Sequence, residues 1–308
     1  MFSCGSNRPT PTSHTGAERH YPGYMSLLRL RDDLPTLIAP VLIGAFDGWI
    51  DAGSAASAAA ALLARDAEEL ATGNSDSLFD YRSRRPVLDV IDGTLSELDW
   101  PMISIVRRTE GGRDLLVLHG PEPDFRWKEL AEQVMETAVR LGVVQWVSLG
   151  AIPAAMPHTR PVHVFGTASQ AGLLHDDVEQ GPQGLLRVPA ATLSVIEMAV
   201  AGAGIPTVGF YAQVPHYVGG SFAAATIALL EQVGSHLGVD LPLGELPEEA
   251  LAQRQRLDTA VGGDDDARQY LERLESIAGE EHVPSGDELA SEIERFLQGE
   301  AGGGEPRL

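Results

Sequence analysis

Four short stretches of the 308-residue sequence bring ionisable side chains, aromatics and glycines together where an apolar run gives way to a loop. In the first, 44–53 (GAFDGWIDAG), Asp47 and Asp51 flank Trp49, and Gly53 leads into a run of small residues with helical character. A helix N-terminus delivered by such a loop can hold an anion on its free N–H groups, whereas Asp51 can equally spend its carboxylate capping that helix. The second, 119–127 (HGPEPDFRW), opens on His119, a candidate acid or base or a hydrogen-bonded structural histidine. The third, 150–161 (GAIPAAMPHTRP), is stiffened by prolines and sets His158 two residues from Arg160. On an extended segment that pair shares a side and could grip a phosphate or carboxylate, or Arg160 could pair with an aspartate across a sheet. The fourth carries His216 and Tyr217, then Gly219 and Gly220 before a helix start. Glycines there can admit a phosphate, but the pattern is neither a Walker loop nor a dinucleotide fingerprint.

The elements that must position these stretches follow from periodicity. Apolar runs at 37–46, 143–149 and 207–213 read as buried strands, the first with Pro40 best placed near its start. Shorter strand signals occur at 77–81, 87–91, 102–107, 115–119 and 162–165, with a Gly111-Gly112 hairpin turn. The Ala-rich stretch from 51 to 70 reads as one helix, and 126–141, 193–203 and 221–237 as others. Residues 151–160 read as a connection. Alternating strands and helices from 37 to 237 imply an α/β fold with a mostly parallel core sheet, and ligands on such a sheet sit beyond the carboxyl ends of its strands. All four stretches lie at strand ends, so one shared cleft is the expectation.

Residues 1–24 are polar, without a period, and read as a disordered leader. Residues 240–308 hold 18 acidic and 6 basic residues, with helical spacing at 246–257, 267–278 and 289–297 and a glycine-rich end. This acidic helical extension reads either as a solvated appendage or as a subunit- or partner-binding arm. Its removal is expected to weaken association and leave the 25–239 core folded.

Composition narrows the partners. Net charge is −22, which repels nucleic-acid phosphate. No apolar run is long enough to span a membrane, and the first residues carry no secretory apolar stretch, so a cytoplasmic protein is expected. One cysteine, Cys4, excludes a disulfide framework and a cysteine zinc site, and the nine histidines lack metal-ligand spacing. No cofactor is called for. Lys128 stands alone against 21 arginines, a bias that GC-rich coding would produce and that disfavours lysine-dependent ATP or Schiff-base chemistry. There is no nucleophile elbow; Ser54 and Ser221 lie near helix starts, with nothing in the sequence to join them to a histidine.

The stretches LIGAFDGWIDAGSAASAA at 42–59, DYRSRRP at 80–86, LVLHGPEPDFRW at 116–127, SLGAIPAAMPHTRPV at 148–162 and YAQVPHYVGG at 211–220 together resemble the PAC2 family, in its bacterial branch. The resemblance implies a three-layer α/β/α domain of nucleoside-phosphorylase-like topology and a homo-oligomer, by preference a trimer. It also implies a link to the proteasome system, since some relatives help assemble or bind the 20S particle. Those dock through a C-terminal hydrophobic-Tyr-any tripeptide; this sequence ends Pro306-Arg307-Leu308, which departs from that pattern. The family supplies no catalytic residues. Two readings remain: a non-catalytic oligomeric scaffold or chaperone-like partner, and a small-molecule enzyme of phosphorylase, hydrolase or carboxylate–amine ligase type. In the second, Arg160 or Arg82 would hold phosphate and His158 or Asp47 would move protons.

Overall fold

The computed structural model describes residues 26–182 and 184–278. In chain order these form β1 (Leu28–Leu30), β2 (Val41–Asp47), α1 (Ala55–Ala64), β3 (Glu68–Gly73), α2 (Ser75–Leu78), β4 (Val87–Ile91), β5 (Thr94–Asp99), β6 (Ser104–Glu110) and β7 (Arg113–Pro121). There follow α3 (Trp127–Arg140), β8 (Gln145–Ala154), β9 (Val164–Ala168), α4 (Thr192–Gly202), β10 (Thr207–Pro215), α5 (Ala223–Leu237), α6 (Leu246–Gly262) and α7 (Asp265–Ala278). The leader at 1–24 and the helix expected at 289–297 lie outside the described residues.

One sheet runs in the order β1-β3-β6-β7-β2-β8-β10-β9. Its centre, β7-β2-β8-β10, is parallel, and antiparallel strands extend it on both sides. The central strands are buried on both faces, which is why they read as continuous apolar runs. Val41, Ile43 and Ala45 of β2 point to one core with α1 and α5, whereas Leu42 and Phe46 point to the other with α3 and α4. The result is a three-layer α/β/α domain. Small side chains on α1 (Ala55, Ala56, Ala59, Ala60) let it lie close to the sheet. Gly44 serves the opposite face, where a Cβ would stand 2.6 Å from the indole of Trp146.

Several local expectations are corrected. The helix expected to run to 70 stops at Ala64: Arg65 is extended, Asp66 takes φ 57°, and Glu68–Gly73 pairs with β6 as a strand. Glu68 is held there by Arg31 at 2.6 Å and Arg107 at 3.1 Å, so tertiary pairing overrides its helix propensity. The strand expected at 77–81 is instead the one-turn helix α2, its Asn74 side chain accepting from Ser77 N at 3.1 Å. Residues 151–154, expected as connection, prolong β8 against β10. β1 and β5 were not anticipated, although the Asp92-Gly93 turn joining β4 to β5 has the left-handed geometry of a hairpin (φ 50° and 77°).

The β4–β5 hairpin stands apart from the main sheet, and every one of its strand residues is exposed. Pairing sets Leu88 opposite Leu98 and Val90 opposite Leu95, so these four share one face. The other face carries Asp89 directly opposite Glu97, and Val87 opposite Asp99. Beyond β10, Leu241, Leu243, Leu246 and Leu257 pack on the core beside α5. No helix among the described residues is long and apolar enough to cross a membrane.

Candidate functional site

The carboxyl ends of β2, β8 and β10 open into a cavity of about 550 Å³. Its wall is the loop after β2, stitched in place from two sides. Asp51 bridges to Ala151, with Ala151 N donating to Ile50 O at 2.7 Å, and Phe222 N donates to Gly53 O at 2.8 Å. Gly53 sits at φ 62°, where a Cβ would lie 2.9 Å from Phe222 Cβ, so glycine is needed twice over. Trp49, Asp51, Gly53 and His216 line this cavity together, as do Pro153, Val214, Gly219 and Gly220. Four of the ten candidate residues therefore converge.

Asp51 is the most distinctive group. Its Oδ1 accepts from Ala56 N (2.8 Å) and Ser57 N (3.1 Å), so it caps α1 and occupies the N–H groups an anion would need. Oδ2 is buried with no hydrogen-bond partner among the described residues. Burial pushes its carboxyl up to about 6 from 3.8, against the pull of the Ser57 and Ala56 hydrogen bonds and helped by the charge of Asp47. The folded chain thus favours the protonated form. The stabilisation this brings is complete below about 4 and is lost as pH rises through about 6, a change of about 2–3 kcal/mol. Asp51→Asn, which has no charge to bury, is expected to lack that loss in urea unfolding series between pH 4 and pH 7.5. A parallel decline in the two proteins would contradict it.

The remaining candidates lie elsewhere. Asp47 is exposed and paired with Arg84 at 2.6 Å, while Arg82 faces solvent beside Asp80 at 3.1 Å, so of the arginines in 80–86 it is Arg84 that reaches the loop after β2. His119 on β7 keeps a buried Nε2 without a partner among the described residues, and burial holds its pKa below the ordinary histidine value. Glu122, not singled out from the sequence, clamps two loops: Oε2 accepts from Trp49 N (2.9 Å) and Oε1 from Thr192 N at the start of α4 (2.7 Å). A Cβ at Gly48 would collide with it at 2.3 Å.

His158 and Arg160 do not share a face. His158 is buried and Arg160 is exposed. His158 is a junction between the core and the C-terminal helices: Nδ1 and its backbone N each lie 2.7 Å from Tyr217 Oη, Nε2 lies 3.1 Å from Asp258 Oδ1, and Arg254 donates to its carbonyl at 3.1 Å. Partial burial opposes ionisation of Asp258, but the His158 and Arg254 hydrogen bonds prevail and hold its pKa below the usual carboxylate value. Burial raises the Tyr217 hydroxyl. His216 meets Tyr270 Oη at 3.0 Å, and Thr159 donates to Glu275 at 2.5 Å. Gln253 of α6 accepts from Ala223 N at 3.2 Å and donates to Ser221 O, tying down the start of α5. No local signal in the sequence marks Asp258, Gln253 or Tyr270, because each acts on a residue far away along the chain.

Chemically, the cavity offers the Trp49 indole, the His216 imidazole and apolar walls, while the unpartnered Asp51 Oδ2 is itself buried. No group of three or more histidine, cysteine or acidic residues among the described residues could hold a metal ion. The model of the PAC2 family matches residues 45–261. No curated protein matches the chain in sequence. Among solved structures, the chain is similar to a Mycobacterium tuberculosis protein of unknown function, with 33% identity over 85% of this chain and 92% of the other and a TM-score of 0.76. A second M. tuberculosis protein, described as a proteasome-assembly chaperone homologue, shares 36% identity over 75% of this chain and 99% of its own, with a TM-score of 0.68. A Streptomyces avermitilis protein of the same family shares 35% identity over 75% and 99%, at 0.67.

Proposed function

The chain belongs to the PAC2 family, and from that premise we propose that it is a non-catalytic oligomeric scaffold, a trimer by preference, with a chaperone-like role toward the proteasome system. The observation that carries this reading is the β4–β5 hairpin. Its four-residue apolar face is unpacked, and a two-stranded hairpin by itself is marginally stable in water. Like charges at Asp89 and Glu97 weaken it further. A surface built this way gains its stability from a partner, and a second copy of the chain supplies one in a homo-oligomer. The proteasome link rests on the 36% identical chaperone homologue.

In the same reading, residues 25–239 are the core domain and 240–308 an extension whose first helices brace the loops at the strand ends. The protein acts in the cytoplasm, without membrane or nucleic acid.

Native mass spectrometry of the purified protein, alone and mixed with the host's 20S proteasome subunits, tests both halves. A homotrimer that takes up those subunits in fixed stoichiometry is expected. A monomer would remove the scaffold, and a homo-oligomer indifferent to the subunits would remove the proteasome role. The cavity favours a second reading, a small-molecule enzyme working at the strand ends. Its phosphate-dependent form fits poorly, since no arginine or lysine lines the cavity among the described residues.

A further inference from the structure

The apolar face of the β4–β5 hairpin is left uncovered by the protomer that carries it. Leu88, Val90, Leu95 and Leu98 are all exposed. So is Trp100 at the hairpin base, edge-on to Tyr81 with ring centroids 4.7 Å apart. Hairpin against hairpin cannot close a ring of three: such a contact is isologous and pairs two copies, whereas a three-fold ring joins one surface to a different one on the next copy. That second surface must be apolar, must fit a two-stranded ribbon, and must suit the charge at its base. There the stretch 80–86 holds three arginines and one aspartate. Arg82 pairs with Asp80 at 3.1 Å, and exposed Arg85 makes no ion pair among the described residues.

The sequence beyond Ala278 meets these conditions. Leu289, Ile293, Phe296 and Leu297 recur at helical spacing, Ser285 and Glu288 have the spacing of a capping box before them, and Gly299 follows. A helix over 289–297 is about 13 Å long, against about 17–20 Å for the strands of the hairpin. Residues 279–308 carry eight acidic and two basic side chains, opposite in sign to the arginine stretch. Both partners also leave the same end of the sheet. Thr159, beyond β8, donates to Glu275 of α7 at 2.5 Å, and Asp80 N donates to Asp124 Oδ2, beyond β7, at 2.8 Å. The ten residues between Ala278 and Leu289 span up to about 35 Å, enough to pass from one protomer to its neighbour.

We propose that segment 289–297 of each copy lies as an amphipathic helix on the apolar face of the next copy's β4–β5 hairpin, so that exchanged C-terminal segments close the ring. This rests on the oligomeric reading of the hairpin given above and adds to it the identity of the covering surface.

Sedimentation velocity of the full-length Ile293→Ser/Phe296→Ser variant, over a concentration series, tests the exchange. Loss of these two side chains weakens each contact by about a hundredfold, and a folded monomer is expected. This variant keeps its hairpin face, whereas the Leu88→Ser/Leu95→Ser variant keeps its C-terminal segment. Mixed, the two are expected to form a one-to-one heterodimer, the single contact left open to them. Val90→Arg serves as the hairpin-deficient partner if the double leucine variant does not fold. A mixture that stays monomeric would put the segment on its own hairpin or elsewhere and overturn the proposal. Wild-type assembly of the Ile293→Ser/Phe296→Ser variant would overturn it as well, while leaving the oligomer standing. A wild-type chain that is itself monomeric would remove the oligomeric reading and this proposal with it.

Discussion

Leu88→Ser combined with Leu95→Ser is expected to turn the proposed oligomer into a monomer while leaving the protomer folded. Leu88 is 46% and Leu95 is 70% exposed, so about half of the first and most of the second is left uncovered within one chain. Both belong to the face that also carries Val90 and Leu98. Burying about half to two thirds of a leucine against a partner contributes about 1–1.5 kcal/mol, hence about 2–3 kcal/mol for the two. That corresponds to a fall of about a hundredfold in association at each interface. In a cyclic trimer every interface loses it at once. Sedimentation velocity over a concentration series reads the mass, and circular dichroism reads the fold. Wild-type assembly in the double variant would exclude the hairpin from the interface. A loss of helical signal would show instead that the hairpin supports the protomer.

The second large effect concerns residues 240–308. Sequence alone led us to expect a core that survives their removal. The contacts predict otherwise. Leu241, Leu243, Leu246 and Leu257 lie against the core beside α5, and Leu274 of α7 is 3% exposed. Truncation after Val239 uncovers the surface beneath these leucines and takes Asp258 from His158, Tyr270 from His216 and Gln253 from the first amide of α5. Leucine burial of this extent contributes about 1 kcal/mol or more per side chain, so the loss is about 5 kcal/mol. For a domain of this size that lowers Tm by about 10–20 °C. A thermal melt of the truncated chain superimposing on that of the full chain would make the extension an appendage after all.

How much of this was legible in the sequence depends on the range over which each residue acts. The central strands β2, β8 and β10 are apolar on both faces and announce themselves without a partner. Helix α3 does so through Leu130, Val134 and Ala138, all buried at helical spacing. The rule that loops gather at strand carboxyl ends brought Trp49, Asp51, Gly53 and His216 to one cavity. It could not say that His158, two residues from Arg160, would turn inward to meet Asp258 a hundred residues later. Residues 68–70 failed for a related reason: Glu68, Glu69 and Leu70 favour a helix locally, yet the backbone reversal at Asp66 and the pairing with β6 make them a strand. Long-range pairing leaves no trace in a local window. The hairpin strand β5 was missed despite a readable signal, the Asp92-Gly93 turn.

Synthesis proceeds from the N-terminus, and the brace over the strand ends is made last. When α5 leaves the ribosome, its first amide still lacks Gln253, thirty residues downstream, and His158 lacks Asp258, a hundred residues beyond it. Until α6 and α7 emerge, the nascent domain has its whole sheet but an open groove along α5. Its completion is therefore an event that follows translation of the whole sheet, and during that interval the exposed groove is the part most open to aggregation or to capture by a folding helper.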